Sequence, residues 1–129
     1  MADTAPLRLV TAVGDPPLLS VVAAPGADAG SPQGSRELRL GLEGELDATT
    51  VGLLCAAVTA RPPTVTVVVL QLDELTFADA QALRAFLDID RVLKAAGGRL
   101  VLSNPTAFLH RMLRIVGLDV TLDIRPRQG

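Results

Sequence analysis

Apolar residues follow two rhythms along this chain, and the alternation between them predicts the fold class. LLSVVA (18–23) is a short apolar run of strand type, and LRLGLEG (38–44) places apolar residues at 38, 40 and 42, the alternation of a half-buried strand. TVTVVVLQL (64–72) is β-branched at most positions, as a central strand covered on both faces should be. RLVLS (99–103) is a second buried strand, and VTLDI (120–124) reads as a short final one.

Between these runs the period changes to that of a helix. ATTVGLLCAAVTA (48–60) repeats apolar residues at Val51, Leu54, Cys55 and Val58, with Asp47 in the N-cap position and Pro62-Pro63 as the stop. Residues 79–96 form a longer helix capped by Asp79 and closed by Gly97-Gly98. A third helix opens at Asn104-Pro105, runs to Val116 and ends at Gly117. Strand, strand, helix, strand, helix, strand, helix, strand is the order of an α/β domain with a mixed sheet, parallel in its later part.

Residues 1–17 carry three prolines and little periodicity and read as a flexible tail. Residues 24–36, rich in Gly, Pro and Ser, read as a long hairpin loop within a single domain spanning 18–126, and 127–129 as a C-terminal tail. With 129 residues there is length for one core, made of Val, Leu and Ala, because Phe77, Phe86 and Phe108 are the only aromatics. A net charge of −2 and no aromatic stacking surface argue against nucleic acid. No apolar run approaches the roughly 20 residues of a membrane helix, so membrane insertion is not expected. The start lacks a secretory signal, and the single Cys55 excludes an internal disulfide. Cytoplasmic localisation follows as an expectation.

No set of residues supports catalysis, so no catalytic residue, metal site or cofactor is expected. The only histidine, His110, sits in mid-helix with no Ser or Cys at hydrogen-bonding spacing and reads as a solvated surface residue. Asp88 and Asp90 point about 200° apart on a helix and cannot share a proton or a metal. Glu43, Glu45 and Asp47 alternate along one edge, but calcium needs about six oxygen ligands and a glycine-containing loop that is not present. Gly41 and Gly44 do not make a phosphate-binding fingerprint. Cys55 lies on the apolar stripe of its helix and reads as inert packing.

The second helix carries more information. At 100° per residue, Ala82, Ala85, Phe86, Ile89, Val92, Leu93 and Ala96 span an arc of about 120°, the expected core face. Gln81, Arg84, Asp88 and Arg91 gather on the opposite side. Leu83 and Leu87 fall beyond the core arc, together with Ala80, and are expected to be partly exposed. That is either ordinary surface leucine or a small apolar patch at a helix start, suited to docking a partner.

Four blocks, GELDATT (44–50), LTFADAQAL (75–83), AAGGRLVLSNP (95–105) and RMLRIVGLD (111–119), resemble in order the blocks of STAS domains, especially the anti-sigma-factor antagonists of bacteria. The resemblance covers 38–124. It implies a mixed sheet of four to five strands with three to four helices packed mainly on one side. It also implies a non-catalytic module that binds a protein partner, an anti-sigma factor or related kinase. In that family the kinase switches the antagonist off by phosphorylating a serine in a DSSG-like motif at the start of the second helix. Here the matching stretch is Asp79-Ala80-Gln81-Ala82, so Ala80 stands at the phosphosite without a hydroxyl. Gln71 stands where the preceding strand often has an acidic residue. The expected contact surface is Asp47, Thr49, Asp79, Ala80, Gln81, Leu83, Arg84 and Leu87. A scaffold or accessory subunit of a larger signalling or transporter-associated complex is the alternative, and a homodimer is left open.

Overall fold

Leucine and valine at alternate positions decide which side of the sheet becomes the core. In the computed structural model, which describes residues 8–11, 18–24 and 36–126, Leu19 and Val21, Leu40 and Leu42, Val68, Leu70 and Leu72, and Leu100 and Leu102 all enter one buried cluster. The strands are β1 (Arg8–Thr11), β2 (Leu19–Ala24), β3 (Glu37–Leu46), β4 (Val67–Ala78), β5 (Arg99–Ser103) and β6 (Asp123–Arg125). The helices are α1 (Val51–Thr59), α2 (Ala80–Ala95) and α3 (Ala107–Ile115), followed by a 3₁₀ turn at Leu118–Val120.

The six strands lie side by side in chain order. β1–β2 and β2–β3 pair antiparallel, while β3–β4, β4–β5 and β5–β6 pair parallel. Each parallel step advances in the same direction, so right-handed crossovers set α1, α2 and α3 on one face. The α/β mixed sheet is therefore as expected. Val69 and Val101, register partners pointing away from that core cluster, are also buried, which makes β4 and β5 central strands covered on both faces.

Several boundaries differ from the sequence pattern. The stretch 1–17, read as a tail, contains β1, which gains its hydrogen-bond partners from β2, a non-local pairing that local composition does not report. The remainder of that stretch, most of the 24–36 loop and the 127–129 tail lie outside the described residues. β4 runs on to Ala78, well past Leu72, because the end of β3 continues to pair with it. Gly44 permits this. Its φ of +116° and the approach of the Leu18 carbonyl leave no room for a Cβ, and Glu45 N donates to Leu18 O at 2.8 Å.

The final strand is 123–125, not 120–124, because residues 118–120 tighten into a 3₁₀ turn after Gly117, whose φ of +80° ends the chain's helical path. Asn104 and Pro105 do not cap α3. Thr106 does, its hydroxyl accepting from Leu109 N at 3.2 Å.

Candidate functional site

Everything of interest at the start of α2 follows from how β3 and β4 end together. Leu46 pairs with Ala78, and Asp79 N donates to Leu46 O at 3.3 Å, which sets the turn after β3 beside the turn after β4. Asp79 is extended (φ −118°, ψ −171°), and its Oδ1 accepts from Gln81 N at 2.9 Å and Ala82 N at 3.2 Å. Two otherwise unpaired donors of the first turn are thereby satisfied, the N-cap role expected of this residue. Ala80 and Gln81 follow immediately and are exposed.

The neighbouring turn works differently. Asp47 does not cap α1, which begins only at Val51 and has Thr50 as its N-cap with no side-chain cap bond. Asp47 instead closes a turn on itself: its Oδ1 accepts from Thr49 N at 2.9 Å and Thr49 Oγ1 at 2.7 Å. These bonds, first the Thr49 hydroxyl and then its amide, hold the Asp47 carboxyl below its ordinary value. Buried Thr50 ties the turn down, accepting from Asp47 N and donating to Glu45 O at 2.8 Å. Thr76 Oγ1 donates to Gly44 O at 2.9 Å and binds β4 to the same corner.

From Ala80 a cleft of about 430 Å³ runs along α2, lined by Ala80, Leu83, Arg84, Leu87, Asp88 and Arg91 on the helix and by Val116 and Leu118 across from it. The two leucines are not equivalent. Leu87 is half-buried, but Leu83 is only 6% exposed and belongs to the core cluster, against the expectation of partial exposure. A helical wheel places residues relative to the sheet alone. It does not show the chain returning after α3, which faces this flank of α2 across the cleft. Asp88 sits between Arg84 (3.8 Å) and Arg91 (3.9 Å), all three exposed.

Of the expected surface, Ala80, Leu83, Arg84 and Leu87 line the cleft. Asp79 and Gln81 form its head, and Asp47 and Thr49 stand on the adjoining turn. Val116 and Leu118 were not expected. The signal available was the pair of apolar residues flanking Gly117, the residue that turns the chain back.

Other expectations change as well. Val92, expected on the core face, is 57% exposed, and Ala96 is exposed too. Asp90, set apart from Asp88 as the sequence reading has it, is buried: it accepts from Leu100 N at 3.0 Å and meets Lys94 Nζ at 2.8 Å. It pins α2 to β5 and keeps no free carboxylate for chemistry. Cys55 is exposed and not packed on the core stripe, because Leu54, Ala57 and Val58 take the inner side of α1. Partial burial and then the charge of Asp88 push its thiol pKa up, which disfavours a reactive thiolate. His110 is half-buried on α3 and not fully solvated. Among the described residues no three His, Cys, Asp or Glu side chains form a metal-binding group. No helix among them is long and apolar enough to cross a membrane.

Residues 30–125 match the family model described as Mlab, STAS domain. No curated protein sequence matches significantly. Solved structures with this fold include the anti-sigma factor antagonist SpoIIAA in its unphosphorylated form, a Bacillus protein, at a TM-score of 0.59 and 22% identity over 72% of this chain and 82% of that one. A Thermotoga maritima protein assigned as an anti-sigma factor antagonist aligns at 0.66 and 20% identity over 73% and 82%. An anti-sigma factor antagonist from Mycobacterium paratuberculosis aligns at 0.64 and 18% over 84% and 86%.

Proposed function

The chain belongs to the STAS domain family and has the fold of the anti-sigma factor antagonists, and from that premise we propose that it is a non-catalytic regulatory module that docks an anti-sigma factor or related switch kinase through the start of α2. It would work in the cytoplasm, without a cofactor. The observation that carries the reading is the geometry around Ala80. A capped helix start leads into an apolar cleft whose rim alternates Arg84, Asp88 and Arg91, with Leu87 half-buried within it. An apolar centre within a charged rim suits a protein contact.

Regulation differs from the phosphoserine switch of the resemblance. A phosphate brings about two negative charges and three acceptor oxygens, and at this helix start it would have to sit on residue 80. Ala80 has no oxygen to carry it, so binding is not switched off there.

The test titrates the full chain with each anti-sigma factor kinase of the same genome, by calorimetry. One of them should bind. Leu87→Glu should weaken that binding by about tenfold or more while shifting stability by no more than about 1 kcal/mol, since it puts a charge into the contact but not into the core. With kinase and ATP the native chain should stay unmodified, whereas Ala80→Ser should take up phosphate. Phosphate on Thr49 or Thr76 of the native chain would overturn the loss of phospho-control. A second reading, a scaffold or accessory subunit of a larger signalling or transporter-associated complex, is also compatible with the STAS family match. Absence of binding to every anti-sigma factor, with stable co-purification in a transport assembly, would select it.

A further inference from the structure

α3 shows an outer face that the cleft along α2 does not use. Leu109 and Leu113 point into the core, which leaves Phe108 and Ile115 on the opposite side, 53% and 75% exposed. Val116 and Val120 follow the helix at 55% and 87%, but Val116 faces the cleft along α2. Arg111 and Arg114 stand exposed on the same side of the helix, one turn apart, and among the described residues neither has a carboxylate partner. No carboxylate lies within α3, and Asp119 is the one in the turn that follows. Large apolar side chains this exposed are costly to keep in water unless something covers them. The two arginines define what that something carries.

We propose that the outer face of α3, from Phe108 through Ile115, is a second docking surface, and that it takes an amphipathic segment of a partner protein with carboxylates beside its apolar anchors. The charge pattern selects this occupant. A second copy packed face to face across a two-fold axis would oppose Arg111 and Arg114 to their own equivalents, and like charges across an interface are unfavourable. An acidic segment pairs both guanidiniums and covers the apolar side chains in one contact, with aromatic residues and Arg enriched at such contacts. This surface is independent of the proposed role of α2, and variants on the two faces separate the two readings.

The experiment titrates isotopically labelled full-length protein with two synthetic helical peptides of equal leucine content, one flanked by glutamates and one by lysines. Amide shifts are followed by NMR. The glutamate peptide should move the resonances of 107–115, saturate, and weaken severalfold as salt is raised, because the screening length falls to about 3 Å at 1 M. The lysine peptide should leave them in place. Arg111→Glu combined with Arg114→Glu should weaken the glutamate peptide by about tenfold with an unchanged melting temperature, while Leu87→Glu should not affect it. Equal binding of both peptides, no binding, or shifts confined to α2 would overturn the proposal. So would self-association abolished by Ile115→Ser, or sedimentation with phosphatidylserine vesicles abolished by the arginine reversals, since either result assigns this face to a different occupant.

Discussion

The two flanks of α2 start from the same edge of the sheet and end differently. On one side lies α1, nine residues long, about 14 Å at 1.5 Å per residue, against about 24 Å for the sixteen of α2. α1 stops short of the last turns of α2, so Val92 remains 57% exposed over a shallow hollow shared with Cys55 and Val58. On the other side α3 is equally short, but the chain does not leave. It turns at Gly117, passes through Leu118 and the buried Leu122, and accepts a bond from Lys94 Nζ at Thr121 O (3.3 Å). That return faces the second flank across the cleft, and Leu83 is nearly buried although its place on the wheel is less favourable than that of Val92. Burial on a helix is set by what lies beside it, not by its apolar arc alone.

The largest effect that tests this contrast is a pair of truncations. Leu83→Ala should cost about 2–5 kcal/mol in urea unfolding, as truncations of buried leucines do, while Val92→Ala should stay within about 0.5 kcal/mol. Equal losses would mean that Leu83 is no better packed than Val92. Asp90 comes next. Asp90→Ala leaves Leu100 N without an acceptor in the interior and should cost about 1–3 kcal/mol. Asp90→Asn keeps a carbonyl oxygen in place and should lose less, and an equal loss would show that the charge toward Lys94 matters more than the bond to β5.

A smaller effect is expected at Asp88, on the ridge between the two hollows. Cys55 should react slowly with iodoacetamide at neutral pH because its pKa is raised by burial and then by Asp88. Asp88→Asn should speed the reaction modestly, and no change would leave burial as the sole cause. The smallest effect lies where the flank of α1 begins. The Asp47 carboxyl is held below 3.8, its ordinary value, so its contribution to stability is present above that value and is lost as the pH falls through the lower folded one. Thr49→Val removes the leading bond and should move the Asp47 titration, followed by NMR, up toward the ordinary value. An unmoved titration would assign the shift to the Thr49 amide instead.

Much of this was legible in the residues. RLVLS (99–103) is a strand with those bounds, and Asp79 caps the helix it precedes. Both depend on short-range physics: branched residues suit a pleated surface, and a carboxylate one residue before a helix meets free amide protons. The head of the cleft at Ala80 was legible for the same reason. Its far wall was not, because Val116 and Leu118 lie some thirty residues further along the chain. The role of Asp90 was not legible, because its partner, the amide of Leu100, is supplied by another element. β1 escaped notice because only its pairing with β2 identifies it as a strand.

The sequence by itself determined the succession of strands and helices from β2 onward, the side of the sheet that carries the core, the cap on α2 and the absence of a hydroxyl at residue 80. Each of these follows from periodicity or from the chemistry of neighbouring residues. Only the tertiary structure decided that Leu83 is core and Val92 surface, that Cys55 faces outward and that Asp90 serves β5. These depend on the relative lengths of packed elements and on where the chain turns back, and no window along the sequence contains both partners.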